Sequence, residues 1–181
     1  MPSANGFRGG IAFKELQENY YPALGFVNRL GVRDYSLELG QLWRPAGGKF
    51  NSIYSGVDAQ RIDTIAGELQ SEVINFRVIE LETAANDDLS LRYSEYKEQI
   101  VEPFEISDGI IIEPGRYSFS DTCLSAGSGA HRTLRVRIFY CDGSFYDGDR
   151  SSTGASITGR PSTHFRLGIS YDVNEIELPF G

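Results

Sequence analysis

The chain is poor in the residues from which reactive and metal-binding sites are usually built. Its 181 residues include two cysteines, two histidines, one methionine and one tryptophan. Cys123 and Cys141 stand in no CxxC or Cys/His spacing, so neither a zinc site nor a disulfide framework is indicated. The two could pair in an oxidising compartment or remain thiols on neighbouring strands. His131 and His164 each sit at the start of an expected strand without a companion at ligand spacing. Cations are outnumbered, 17 Lys and Arg against 25 Asp and Glu, for a net charge of -8. That balance disfavours a nucleic-acid partner, because neutralising phosphates takes clustered positive charge. No stretch approaches the ~20 apolar residues of a membrane helix, and the opening MPSANGFRGGIAF has Arg8 but no apolar core of a secretory leader. A membrane β-strand, by contrast, needs only ~10 residues with apolar side chains on one face, so hydropathy leaves a barrel open.

Glycine and aromatics are plentiful: 20 Gly, 10 Tyr and 11 Phe, a mixture suited to twisted strands and tight turns and ill suited to helices. The clearest order lies in 114–178, where alternating runs are separated by Gly-Ser-Gly, Asp-Gly-Ser, Tyr-Asp-Gly-Asp and Arg-Pro-Ser. The pattern predicts strands over Arg116–Ala126, His131–Cys141, Arg150–Arg160 and His164–Ile176. Earlier strands are expected over Gly10–Leu16, Tyr35–Trp43, Phe50–Ile62, Glu68–Leu81 and Leu89–Glu98, with 1–9 disordered. Arg44-Pro45 ends the second of these, since Pro has no N–H for a ladder. The stretch EPFEISDGIIIEPGRY, with two prolines and an Asp-Gly, reads as a long, partly ordered loop. The fold class expected is therefore all-β, an antiparallel meander. Residues 1–21 are read as disordered or a short strand, and 22–181 as an incomplete β-barrel segment.

No catalytic constellation emerges. There is no GxSxG, and no base oriented by a carboxylate beside a nucleophile. Asp147 and Asp149, two apart beside a glycine, are a weak calcium candidate; a tight turn with positive φ at Asp147 and Gly148 explains them better. Asn86, Asp87 and Asp88 read as a turn too. Glu102, Glu105, Asp108 and Glu113 line the long loop and are read as solvated charges in preference to a glycosidase pair. No cofactor is implied.

Alternation suits a soluble sandwich as well as a barrel. Strands of about ten residues, single charges on the polar face and aromatics near strand ends favour the barrel. Tyr117, Phe119, Phe139, Tyr140, Phe145, Tyr146, Phe165 and Tyr171 would suit an interfacial girdle. Glu38, Arg92, Arg135, Arg137, Arg166 and Asp172 are the candidates for a wet, lumen-facing surface. Leu134, Val136, Ile138, Phe165, Leu167 and Ile169 would face lipid, and burial of those six between packed sheets would exclude the membrane reading.

Four segments, PALGFVNRLGVRDY at 22–35, EPFEISDGIIIEPGRYSF at 102–119, GSFYDGDR at 143–150 and RPSTHFRLGISYDVNEIELP at 160–179, resemble a bacterial family of unknown function (domain of unknown function 5916). In that family a carboxyl-terminal outer-membrane β-barrel follows a module similar to family-nine carbohydrate-binding domains. The resemblance implies an outer-membrane location, membrane lipid as a partner and an indirect association with glycan. A complete member would carry a leader, the amino-terminal module and earlier strands, so the chain is expected to be a fragment, an open partial barrel. The competing expectations are a soluble β-sandwich binding carbohydrate through exposed Tyr and Trp43, and a glycan-active hydrolase.

Overall fold

The computed structural model describes residues 5–21, 29–107, 110–162 and 164–179. It is an all-β structure with no helix among the described residues. The strands are β1 (Gly6–Leu16), β2 (Val32–Trp43), β3 (Phe50–Thr64), β4 (Leu69–Thr83), β5 (Asp88–Ile100), β6 (Phe104–Ser107), β7 (Ile110–Ile112), β8 (Gly115–Gly127), β9 (Leu134–Phe145), β10 (Gly148–Ser162) and β11 (Phe165–Glu177). Nine of them form one sheet in the order β1-β2-β3-β4-β5-β8-β9-β10-β11, antiparallel at every junction, while β6 and β7 pair apart as a small hairpin. The meander is open: among the described residues, β1 and β11 each have one partner only.

Local chemistry explains where strands stop. Pro45 follows β2, and Gly47 turns the chain with φ 68, a conformation glycine adopts without steric cost. Between β4 and β5, Asn86 takes φ 56 while the Thr83 hydroxyl accepts from the Asp87 N–H at 3.0 Å; Asn tolerates this left-handed region better than most residues. At the β9–β10 turn the positive φ falls on Tyr146, at 52, and not on Asp147 or Gly148 as the turn composition suggested.

Several expectations shift. β1 starts at Gly6, and all of Gly6–Leu16 pairs with β2, so part of the stretch expected to be disordered is an edge strand. β9 starts at Leu134 and not at His131, because 128–133 is a turn closed by Arg132 N–H donating to Gly129 C=O at 3.2 Å. The supposed loop before β8 holds the β6–β7 hairpin. In β4 a register shift between Arg77 and Ile79 adds an unpaired residue and moves Ile79 onto the face of Ile74 and Phe76.

A soluble chain of 20.1 kDa folded compactly exposes about 8,700 Å²; this one exposes 12358 Å². The excess is the sheet's second face, which nothing among the described residues covers.

The connections are unequal. At one end, here the upper, lie the connections between β1 and β2 and between β5 and β8, the two longest, together with 65–68 and the 146–147 turn; at the lower end lie 44–49, 84–87, 128–133 and the connection between β10 and β11.

Candidate functional site

Directly paired residues of an antiparallel ladder point to the same side of the sheet, so the register assigns every side chain to a face. One face carries Glu38, Asp58, Asn75, Ser94, Asp121 and Arg150 along a single row. Parallel rows add Gly40, Gly56, Arg77, Arg92, Cys123 and Cys141. The other face carries Phe7, Ile11, Phe13, Tyr35, Leu37, Leu39 and Val57 on β1–β3, and Leu134, Val136, Ile138, Tyr140, Leu167, Ile169 and Tyr171 on β9–β11.

Burial on these faces is inverted relative to a water-soluble protein. Ser94 is 0% exposed and Asp121 6%, whereas Leu134 is 55%, Ile138 52%, Leu167 58% and Ile169 79% exposed. Val32, Leu42, Tyr54, Phe119 and Cys123, which supply most of the buried apolar residues, also lie on the polar face. The polar face is thus the sheltered one. The lower half of β1–β5 forms a cavity there of about 490 Å³, with Arg8, Glu38, Tyr54, Arg77, Glu80 and Asp88 among its lining.

Charges on the polar face are tied across strands. The Asp58 carboxylate accepts from Arg77 and from Asn75, each at 2.8 Å, and Glu38 lies 3.9 Å from Arg77. Gln60 donates to Asp34 at 3.0 Å. Asp121 accepts from Arg150 at 3.1 Å and from the Tyr96 hydroxyl at 3.4 Å. Arg137 meets Asp88 at 3.3 Å, and Arg92 donates to Cys123 Sγ at 3.6 Å. Three buried polar atoms on this face, Tyr54 Oη, Ser94 Oγ and Arg135 Nε, make no hydrogen bond within the protein. Such atoms need water or another polar partner.

Two aromatics close gaps that only glycine leaves. Tyr54 lies across Gly40 and Gly56 under the Arg77 guanidinium, whose carbon is 5.5 Å from the ring centroid. A Cβ on Gly56 would come 2.6 Å from Tyr54 Oη, and one on Gly40 would collide with the same ring. Phe139 covers Gly154 in the same manner.

At the upper end of this face Tyr96, Phe119, Phe145, Tyr146 and Tyr117 form one ring cluster, with centroids 4.8 to 5.7 Å apart, and Phe104 of β6 touches it at 6.0 Å. Tyr146 donates to Glu98 at 2.9 Å. Burial, followed by that hydrogen bond and the negative charge of Glu98, pushes its phenol well above the ordinary range. The cluster packs against itself and so holds the β6–β7 hairpin to the sheet. Of the aromatics expected as a girdle, Tyr117, Phe119, Phe145 and Tyr146 lie in this cluster and Phe139 lies farther down the polar face against Gly154; Tyr140, Phe165 and Tyr171 are exposed on the apolar side.

The apolar face has a boundary. Phe13, Tyr35, Tyr93 and Tyr140 sit at its upper limit, with Val173 the last apolar residue above Tyr171 on β11, and beyond them the same face turns charged with Glu15, Arg33, Glu95, Asp142 and Glu175. Arg33 pairs with Glu15 at 2.8 Å, and Glu72 lies between Lys97 at 2.7 Å and Arg61 at 3.6 Å. This boundary drifts against the hydrogen-bond ladder. The row through Phe13 and Tyr35 reaches β5 at Lys97, four residues beyond Tyr93, after four strand steps. The row through Tyr93 reaches β11 at Glu175, two residues beyond Val173 after four steps, a drift of the same direction. Over β1–β5 the drift is one residue per strand, about 3.3 Å along for about 4.8 Å across, which inclines those strands by about 35° to the normal of the apolar belt.

The six candidates named from the sequence lie on β2, β5, β9 and β11. Glu38, Arg92, Arg137 and Asp172 fall on the polar face by register, as does Arg135 opposite Thr158; Arg166 precedes Leu167 of the apolar face and is exposed. They do not converge on one point. Sequence reasoning missed Asp58, Arg77, Asp121 and Arg150, which the register joins to the same surface. Asp147 lies in the turn and Asp149 on the opposite face from Arg150, and among the described residues no group of three or more His, Cys, Asp or Glu could hold a metal. Asp108 lies outside the described residues. Cys123 and Cys141, left open above, are direct cross-strand partners with Cα atoms 4.1 Å apart and form a disulfide.

No protein-family model, curated protein or solved structure matches the chain.

Proposed function

We propose that residues 6–177 are part of the wall of an outer-membrane β-barrel, with the apolar face toward lipid and the charged face toward a wet lumen. The role is structural: a conduit or anchor, in keeping with the family resemblance of the four segments. The observation that carries this reading is the inverted burial of the two faces. Leu134, Val136, Ile138, Phe165, Leu167 and Ile169 are all exposed on a continuous belt, and no second sheet covers them among the described residues, as a sandwich would require.

Four further observations support it. The strand inclination of about 35° over β1–β5 lies at the low end of the range for membrane barrels. The two longest connections lie at one end, in keeping with the longer loops on the outer side of such barrels. A cross-strand disulfide fits the oxidising cell envelope better than a reducing cytosol. Trp43, 53% exposed on the apolar side at its lower limit, suits the membrane interface better than a sugar-binding platform.

The test is to fractionate the cells that make the protein and to examine the membrane fraction. Resistance to alkaline carbonate extraction with gel mobility that changes on heating is expected; a freely soluble, monomeric protein would end this reading.

A further inference from the structure

We infer that the wall is completed by an odd number of further antiparallel strands, of a sequence other than β1–β11, running between the free edge of β11 and the free edge of β1. The inference rests on the barrel-wall reading and adds the partner that reading leaves open.

Among the described residues both edges lack a neighbour, and almost every residue of β1 and β11 is exposed. An open row of backbone N–H and C=O groups does not persist in hydrocarbon, where no water satisfies it. Both edges also keep the two-faced pattern to their last strand. Phe7, Ile11 and Phe13 oppose Arg8 and Lys14 on β1, and Leu167, Ile169 and Tyr171 oppose Ser170 and Asp172 on β11. Whatever pairs there must therefore continue both the apolar belt and the polar lining.

Strand direction then restricts what the occupant can be. Each of the sheet's junctions is antiparallel, and β11 stands eight junctions from β1, so the two edge strands run the same way, from the lower end to the upper. Joined directly, they would make a parallel seam in a sheet that has none. A second copy does no better. Inserted with its long connections on the same side of the membrane, it also presents both edges running upward, and each contact between copies is again parallel. Antiparallel closure needs a strand running downward beside β11 and another running downward beside β1. A single strand meets both conditions, as does any larger odd number, and the total becomes even, as in single-chain bacterial barrels. Such a set starts at the upper end, where β11 finishes, and ends at the lower end, where β1 begins.

The test places a photo-crosslinking residue on each free edge, Ala12→p-benzoylphenylalanine and Ser170→p-benzoylphenylalanine, in the cells that make the protein. Cross-linked peptides from the heat-sensitive, membrane-embedded form are then sequenced. The expected products join position 12, and separately position 170, to alternating apolar and polar segments absent from β1–β11, with registers from neighbouring probe positions running antiparallel. A 12-to-170 bridge within one chain would overturn the inference in favour of a nine-stranded closure with a parallel seam. Bridges between two copies, recognised with isotopically mixed protein, would overturn it in favour of a dimer. Both of those outcomes leave the membrane reading standing, whereas the same variants recovered only as soluble protein would remove the reading itself. A double Ala12→Cys, Ser170→Cys variant gives a second readout: no oxidant-induced 12–170 bond is expected, and efficient formation of one would contradict closure by intervening strands.

Discussion

The two faces of the sheet share one backbone and one register but are built by opposite rules. On the polar face, Ser94 and Asp121 of the middle strands are buried and charges pair across strands, as with Asp58 and Arg77 or Asp121 and Arg150. On the apolar face, large side chains such as Ile11 and Ile169 stand exposed in an unbroken belt. The difference shows that the fold is not organised around a hydrophobic core. Cohesion comes from backbone pairing between long neighbours, from aromatic-on-glycine contacts and from a network of charge, while the hydrophobic term is left for the surroundings to satisfy.

The largest test of this contrast uses adjacent residues of β11. Ile169→Arg is expected to lower the stability of the membrane-inserted protein by about 2–4 kcal/mol, the cost of a charge facing mid-bilayer. Ser170→Arg, one residue along on the other face, should change it by about 0.5 kcal/mol or less. Denaturant titration in lipid vesicles reads both, and equal effects would erase the distinction between the faces.

Next in size is the Cys123–Cys141 bond. The partners are 18 residues apart, and the double Cys123→Ser, Cys141→Ser variant should lose about 3 kcal/mol on the chain-entropy view, measured by the same titration. Thiol labelling of the unreduced, denatured wild type should find no free cysteine.

Gly56→Val follows. Its side chain would push against Tyr54 and the Leu39 carbonyl, 2.7 Å from the new Cβ, and should cost about 1–3 kcal/mol through overpacking. Tyr54→Ala combined with Gly56→Val should be less damaging than the sum of the two single changes, since the ring that clashes is gone. An additive result would mean that the ring does not lie on that glycine.

Arg77→Ala, which removes the partner of Asp58 and the cation over Tyr54, should cost about 1 kcal/mol, since the group is partly exposed and screened.

Much of this was legible in the sequence. Period-two alternation gave the β strands, and Pro45 and the glycine-rich stretches gave most of their ends. The face of Leu134, Val136 and Ile138 followed from alternation alone. What alternation could not supply was register, which depends on contacts between distant segments. Without register, Asp58 and Asp121 had no partners, the bulge that turns Ile79 on β4 was invisible, and whether Cys123 and Cys141 pair stayed open. The aromatic cluster was misread for a related reason. Tyr117, Phe119, Phe145 and Tyr146 were placed by nearness to strand ends, whereas the side of the sheet decides what an aromatic touches. The inclination of the strands could be recovered only by combining both sources, the belt from the sequence and the rows from the structure.

The smallest expected effect is at the lower end. Asp87 accepts from the Gly129 N–H and from Arg132, and these hold its carboxyl below the usual range. A depressed carboxylate stabilises most at pH above its unfolded value of about 3.9, and the contribution is lost as pH falls through the lower, folded value. The tie between the 84–87 and 128–133 turns should therefore persist at pH 5 and loosen only in stronger acid. Amide exchange at Gly129 should show that loosening in the wild type, and already at pH 5 in Asp87→Asn.

The central claim, that one face meets lipid and the other water, is tested most directly by spin labels placed singly at 134–140 in a Cys123→Ser, Cys141→Ser background in vesicles. Labels at 134, 136, 138 and 140 should be relaxed by oxygen, and those at 135, 137 and 139 by a water-soluble nickel chelate, alternating with period two. A flat profile, or nickel access on both faces, would contradict it.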